Sequence, residues 1–507
     1  MQTPDHSPAQ LARRVFDETL AAMDAGRAVE RAVRMEAGRL HILDDEFDLT
    51  NEESDLIDGG RAVYAVALGK AAGPMAAALD RILGRRLAGG VLSAPPLSND
   101  LSARLPARWQ VFAGGHPLPN EASLAAARAC FDLLRRADDQ AALLIFLVSG
   151  GGSAMLEWPR DPAVTLEELR EANRVLVACG APIAEVNAVR RAISAIKGGG
   201  LARLAPRASQ ITLVVSDTRE GEEYAVASGP TLTPPAGRDT PDARGVVERY
   251  GLAARLPASI LSAIERHADQ DGSRESARDE ETSTGRTSGE KQAPDGPSAE
   301  VSHTPKRDFD RPRRPRNSRV LRRQHVLLSN ALAVERAAEA ARALGSAVEV
   351  ARDITDQHVA EGARLLVSRL LELRARAGDE SPVCLVSGGE FACPVRGAGS
   401  GGRSSETALR CALELEARGL SDPRAGGQPR LALLFAGTDG LDGNSPAAGA
   451  LCDETTLARA RALNLDPQKF LAASASHTFF DALGDAIRTG RTGTNVRDLR
   501  VLVSGER

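Results

Sequence analysis

Five short apolar runs of this 507-residue chain end in clusters of glycine, serine and charged residues, and those clusters can do chemistry. Gly69-Lys70-Ala71 follows 62–68, and Ser149-Gly150-Gly151-Gly152-Ser153 follows 143–148. Ser216-Asp217-Thr218 follows 211–215, and Ser387-Gly388-Gly389-Glu390 follows 383–386. Gly437-Thr438-Asp439-Gly440-Leu441-Asp442-Gly443 follows 431–436. Glycine turns that lead into helices present backbone N–H groups to anions. Each half of the chain carries a Ser-Gly-Gly turn after an apolar run, so Ser149–Ser153 and Ser387–Glu390 are candidate anion cradles.

Three cations accompany these turns. A lysine at a strand end is ordinarily a solvated surface residue, but Gly69 before Lys70 and Ala71, Ala72 and Gly73 after it favour close ligand approach. Both readings of Lys70 stand on the residues alone. Lys197 precedes Gly198-Gly199-Gly200 and suits anion contact. Its spacing from Ser194 hints at a Ser–Lys acyl-transfer pair, but the S-D-N and K-T-G companions of that chemistry are absent. Arg403, after Gly401-Gly402, has the planar fork that suits carboxylate or phosphate. The acids Asp217, Glu222, Glu223, Glu390, Asp439 and Asp442 complete the set. Mg²⁺ takes one or two carboxylates plus phosphates and waters, so Asp217, Asp439 and Asp442 are candidate ligands. Asp442 equally fits a turn former. His116, in a Gly-Gly-His-Pro loop, reads as a satisfied loop histidine. Gly397, Gly399 and Gly402 make a formal GxGxxG, well past a strand end and without a ribose-binding acid, which is a weak dinucleotide signal.

Positioning such turns takes short strands alternating with helices. The runs 62–68, 143–148, 211–215, 326–328, 347–350, 383–386 and 431–436 are predominantly apolar and each precedes a helical pattern. That predicts a parallel sheet buried on both faces, with ligands at the carboxyl ends of its strands. Residues 8–36 read as helix. Residues 268–323 are rich in Ser, Asp, Glu, Arg, Pro and Gly and read as a disordered insertion. A nucleic-acid or acidic-partner tail is the weaker reading, since no aromatics are interleaved. The remainder predicts two α/β domains, 5–245 and 246–503.

Composition narrows the function classes. Lys+Arg 64 against Asp+Glu 68 gives −4, so the overall field does not hold the chain to polyanions. Aromatics at 3% argue against a nucleic-acid stacking platform. The six cysteines form no CxxC, and the longest apolar run, 141–148, is far short of the ~20 residues of a spanning helix. With no signal-peptide pattern, a cytoplasmic setting is expected, with neither nucleic acid nor membrane as partner. P-loop, GxSxG, HExxH and protein-kinase motifs are absent.

Longer strings carry a resemblance. ALGKAAGPMA (67–76), GGHPLPNEAS (114–123), LVSGGGSAMLEWP (147–159), NAVRRAISAIKGGGLA (187–202), VVSDTREGEEYAVASGPT (214–231), SNALAVERAAEAARALG (329–345), LVSGGE (385–390), GGRSSETAL (401–409), FAGTDGLDGNSPAAGAL (435–451) and TGRTGTNVRDLRVLV (489–503) run in order along the chain. Together they resemble the MOFRL-type (type II) glycerate kinase family. The resemblance implies a Rossmann-like N-terminal domain, a smaller MOFRL-type α/β C-terminal domain and an active site in the cleft between them. It implies ATP, Mg²⁺ and D-glycerate, with phosphorylation of the 2-hydroxyl to 2-phosphoglycerate. Lys70 and Arg403 match the family's suspected catalytic cations. Lys197 would assist, and Asp217 would serve as general base or metal ligand. Asn187, Arg190 and Asn495 lie in matching strings and join the expected substrate and nucleotide contacts. Departures from the family pattern fall at Glu222, Ser404 and Arg491. They leave open a non-catalytic small-anion or nucleotide-binding homologue. An NAD(P)H-dependent hydroxypyruvate reductase is the other alternative. Monomer and homodimer are both compatible with the sequence.

Overall fold

The apolar runs 62–68, 143–148, 211–215, 383–386 and 431–436 fold as interior strands, whereas 326–328 and 347–350 fall in edge strands. The computed structural model describes residues 7–49, 61–232, 241–268, 320–378, 381–421 and 430–505. A small antiparallel sheet joins β1 (Val33–Glu36), β2 (Arg39–Ile42) and β3 (Asp45–Asp48). The first large sheet comprises β4 (Val63–Leu68), β5 (Leu87–Ala94), β6 (Trp109–Ala113), β7 (Leu143–Ser149), β8 (Ser209–Val215) and β9 (Arg322–Leu328). Its order is β6-β5-β4-β7-β8-β9, and every neighbouring pair is parallel. β4, β7 and β8 are buried at every residue, which is why they show no polar alternation. The strand order reverses between β4 and β7. Their carboxyl ends therefore flank the switch point where such sheets bind ligands.

The second large sheet comprises β10 (Ala347–Val350), β11 (Val383–Gly389), β12 (Leu431–Gly437), β13 (Gly449–Asp453), β14 (Ala486–Ile487) and β15 (Asp498–Ser504). Its order is β10-β11-β15-β12-β13-β14. Only β10 and β11 pair in parallel, so the expected all-parallel pattern holds for the first sheet and not for this mixed one. β15 alternates sides. Leu502 packs with Leu366 and Leu370 of helix Val359–Ala377 and Leu415 of helix Arg403–Ala417, whereas Val501 and Val503 pack with Leu11 and Phe16 of helix Pro8–Ala22.

By contacts, one compact unit holds the described residues up to Trp158, from Ala195 to 232 and from Arg322 onward; both large sheets belong to it. The other holds Pro159–Ser194, 241–268 and 320–321. Its described helices are Leu166–Ala178, Ile183–Ile193, Ala243–Arg249 and 258–268, packed through Leu169, Leu176, Val189, Val246 and Ile260. The chain-order segments 5–245 and 246–503 each contribute to both units.

Two boundaries differ from expectation. The helix expected over 8–36 stops at Ala22; Asp24 accepts from the Arg27 N–H at 2.6 Å, caps a second helix Ala25–Ala32, and Val33–Glu36 becomes β1. Of the segment 268–323, residues 269–319 lie outside the described residues, while Arg322 and Arg323 begin β9. Exposed arginines suit an edge strand, where charge discourages further pairing. No described helix is long and apolar enough to cross a membrane.

Candidate active site

Lys70 owes its position to the touching turns after β4 and β7. Gly69 takes φ +110°, a backbone conformation side chains rarely adopt, and a Cβ there would lie 2.3 Å from the Ser149 carbonyl oxygen. The Lys70 N–H donates to the Gly150 carbonyl at 2.9 Å, and the Ala71 N–H donates to Ser149 Oγ at 3.0 Å. Ser149 is wholly buried, so its hydroxyl braces the two turns instead of facing a ligand. A Cβ on Gly150 would lie 1.8 Å from Asp217 Oδ2, which brings that carboxylate directly against the turn. Gly151 abuts the side chains of Lys70 and His116, Gly152 abuts Leu68, and Ser153 Oγ lies 2.7 Å from Ser228 Oγ.

Lys70 opens onto a cavity of about 520 Å³. His116, Met155, Glu390, Arg403, Asp439, Arg491, Asn495, Arg497 and Asp498 also line it. Lys70 Nζ lies 2.8 Å from Asp439 Oδ2. Arg403, first residue of its helix, reaches Glu390 Oε1 at 2.9 Å and Asp498 Oδ2 at 3.1 Å. Arg497 pairs with Asp356. Three cations are thus held by carboxylates that an incoming anion could replace. Arg491 is exposed, with no hydrogen bond or ion pair among the described residues. Asn495 Nδ2 approaches Asp217 Oδ2 at 3.4 Å, linking Asp217 to the cavity wall from behind. Among the described residues, no cluster of three or more His, Cys, Asp or Glu is arranged to hold a metal ion.

Lys70, Arg403, Glu390, Asp439 and Asn495 therefore share one cavity, while several candidates of the same unit are committed to structural bonds. Both oxygens of buried Asp442 accept from the start of helix Arg403–Ala417: Ser404 N–H at 2.9 Å, Ser405 N–H at 2.9 Å and Ser405 Oγ at 2.6 Å. A carboxylate there complements the helix dipole, so its structural work is capping. The turn at Ser387, Gly388 and Gly389 is likewise committed. Ser387 Oγ donates to the Ile354 carbonyl, the Gly389 N–H donates to Asn330 Oδ1 at 2.8 Å, and the Glu390 N–H to Asp356 Oδ1 at 3.1 Å. Glu223 accepts from the Gly221 N–H at 2.9 Å. Asn187 and Arg190 lie on helix Ile183–Ile193 of the second unit, where Arg190 Nε donates to Asn173 Oδ1 at 3.1 Å. The GxGxxG segment spends its donors internally: Gly399 N–H on the Ala473 carbonyl, Gly401 N–H on Asn444 and Gly402 N–H on Ser405. That leaves those amides no pyrophosphate to hold.

Lys197 is 2% exposed and paired with Glu157, away from the residues lining the cavity. Lys197→Met should strand a buried carboxylate and cost about 3–5 kcal/mol of stability. Denaturant melts with kinetics on the folded fraction should show that loss, with kcat reduced less than about tenfold; the opposite pattern, intact stability and lost turnover, would assign Lys197 to the chemistry.

Burial raises Asp217, against the opposing charge of Lys70, to about 6. Its folded-state pKa then exceeds the unfolded value of ~3.9, so its stabilising contribution is complete below about pH 4 and is lost as pH rises through about 6. Asp217→Asn should therefore unfold at higher urea than the parent at pH 7, by up to about 2 kcal/mol, with the difference vanishing near pH 4. Equal midpoints at pH 7 would contradict this electrostatic account.

Three residues of the cavity escaped the sequence reading. Asp498 opens β15, whose DLRVLVS pattern mixes charges into an apolar run, and Arg497 immediately precedes it. That mixture was the available signal: charges inside a strand need partners. His116, expected to be satisfied, has no hydrogen bond among the described residues and lines the cavity.

A doubly wound parallel sheet joined to a mixed sheet, with a lysine from one and an arginine beside the other on a shared cavity, defines a two-sheet α/β protein with a charged cavity at its strand ends. Residues 11–265 match a family model described as a domain of unknown function (DUF4147), and residues 383–498 match the MOFRL family. The chain is 34% identical to a human protein named glycerate kinase, over 97% of this chain and 92% of that one. It is 30% identical to a Pyrococcus horikoshii glycerate 2-kinase, over 97% of both chains. A crystal structure of a glycerate kinase from Thermotoga maritima matches with TM-score 0.68 at 26% identity, covering 98% of this chain and 99% of that one. The chain belongs to the MOFRL-type glycerate kinase family.

Proposed function

We infer that this protein is a glycerate 2-kinase: it transfers the γ-phosphoryl group of ATP to the 2-hydroxyl of D-glycerate, giving ADP and 2-phosphoglycerate. The observation that carries this reading is the meeting of Lys70 and Arg403 in one polar cavity, in a chain similar along its length to glycerate kinases. Phosphoryl transfer asks little covalent chemistry of a protein, and catalysis is mostly positioning plus electrostatics. Arg403 would exchange Glu390 and Asp498 for oxygens of the transferred group. Lys70 would exchange Asp439 for a phosphate oxygen. The substrate carboxylate would take a remaining cation, for which Arg491 and Arg497 are the available partners.

The donor set fits Mg²⁺, which needs few carboxylates when phosphates and waters complete its shell. Asp439, on the cavity wall, would hold it, with Asp217 behind. Bound there, Mg²⁺ would supply charge neutralisation at phosphate oxygens. Asp442, committed to its helix, has no part in this reading. A cytoplasmic setting is part of the proposal, supported by six unbridged cysteines.

The test is product identification. ³¹P–¹H coupling in the product of D-glycerate, ATP and Mg²⁺ should place phosphorus on the oxygen of the single methine carbon. Phosphorus on the terminal methylene would replace this reading with a 3-kinase.

A further inference from the structure

The transferred group needs an acceptor oxygen that loses its proton, and the acids of the cavity are poorly placed to take it. Asp439 is bonded to Lys70, while Glu390 and Asp498 are bonded to Arg403. A carboxylate shared with a cation is a weakened base. Asp217 is not among the residues lining the cavity and lies against Asn495 and the Gly150 turn.

His116 differs from all of them. Its side chain lines the cavity, and neither ring nitrogen has a hydrogen-bond partner among the described residues. A Cβ built on Gly151 would lie 3.1 Å from Lys70 Cγ, 3.2 Å from His116 Cδ2 and 3.4 Å from His116 Nε2. The imidazole and the Lys70 side chain thus flank one glycine. The loop carrying the ring is fixed although the ring itself is free: the Gly115 N–H donates to Ser123 Oγ at 3.0 Å, and Asn120 Nδ2 donates to the Ala113 carbonyl at 3.0 Å. Backbone held by its own bonds, carrying an uncommitted side chain toward a cavity, is what a preorganised reacting group requires. The charged groups acting on the ring are Lys70, Asp439 and Arg491. Surrounding protein atoms, then Lys70 and Arg491, lower its pKa against Asp439, which favours the neutral, proton-accepting imidazole.

We propose that His116 is the general base of the transfer. An imidazole nitrogen takes the proton of the acceptor hydroxyl as its oxygen bonds to the γ-phosphorus. The bond from that phosphorus to the β,γ-bridging oxygen breaks, and ADP leaves with the electron pair. The imidazolium then returns its proton to solvent. This assignment rests on the kinase reading and fails separately from it: a parent protein that forms no ADP overturns that reading, whereas active parent protein isolates His116.

The test uses the full chain. His116→Gln and His116→Ala should each lower kcat by about a hundredfold, the lower end for general-base catalysis, with KM for ATP and D-glycerate changed less than about threefold. Added imidazole should restore His116→Ala turnover by about tenfold, an effect no structural role predicts. Retention of kcat within about threefold, a change confined to KM, or no response to imidazole would overturn the assignment. Should the variants not fold, diethylpyrocarbonate on the parent protein decides. Activity should fall in step with carbethoxylation of His116 mapped by mass spectrometry, and D-glycerate should slow both. Full activity with His116 modified overturns the proposal.

Discussion

Arg403→Ala should lower kcat about a thousandfold or more, with KM for D-glycerate changed less than tenfold, if arginine-finger magnitudes apply. Glu390 and Asp498 hold the guanidinium from two directions at the first turn of its helix, so its fork is oriented before any ligand arrives. Charge spreading over the transferred phosphoryl oxygens would meet a guanidinium already placed at the cavity, which exchanges its carboxylate partners for them. Removing the side chain also leaves those two carboxylates facing the cavity without their cation, which repels a polyanionic substrate. Arg403→Lys should recover only part of the loss, because an ammonium cannot serve two oxygens with a planar fork. Steady-state kinetics decide the matter: a rise in KM with kcat intact would show that Arg403 only binds substrate.

Lys70→Ala should cost about a hundredfold to a thousandfold in kcat with stability changed by less than about 1 kcal/mol. The pairing of effects is the informative part. Lys70 and Asp439 are both accessible from the cavity, at 25% and 16% side-chain exposure, and a partly solvated ion pair contributes little to folding. The backbone that positions Lys70 is fixed by Gly69, Gly150 and Ser149, none of which the substitution touches. The parental fold should therefore persist while Asp439 becomes an unpaired negative charge beside the phosphate. A melt with matched midpoints and lost turnover fits this account; a large drop in midpoint would show that the pair is structural.

The residues that the sequence made legible share a cause. β4, β7 and β8 are buried on both faces, so their apolar runs and following turns stood out, and with them Lys70 and the Ser149 turn. Three other strands carried conflicting patterns. β5 contains two adjacent glycines, β6 is an edge strand with exposed residues, and β15 encloses a buried arginine. Arg500 is tolerated there because its guanidinium donates to the carbonyls of Ile354, Thr355 and Gly388 and stacks 3.5 Å from the Phe391 ring centroid. No local pattern announces partners more than a hundred positions away.

The same limit explains the candidates that moved. Asp442 stood in a turn that suits a metal ligand or a turn former, and its bonds to Ser404 and Ser405 arise only when the turn after β12 meets a helix that starts far upstream. Lys197 beside three glycines looked available to an anion until the fold brought Glu157 to it. His116 erred in the other direction, because an absence of partners cannot be read from a loop. The GxGxxG string was legible as a string, but its amides are spent on Ala473, Asn444 and Ser405, which removes the chief support for a nicotinamide-dependent reductase.

The most direct measurement places one purified sample in two assays. With D-glycerate, ATP and Mg²⁺, ADP formation should depend on D-glycerate and disappear in Arg403→Ala. With hydroxypyruvate and NADH or NADPH, absorbance at about 340 nm should stay constant, as expected when no dinucleotide site supports hydride transfer. Oxidation of the nicotinamide without glycerate-dependent ADP would contradict the kinase account.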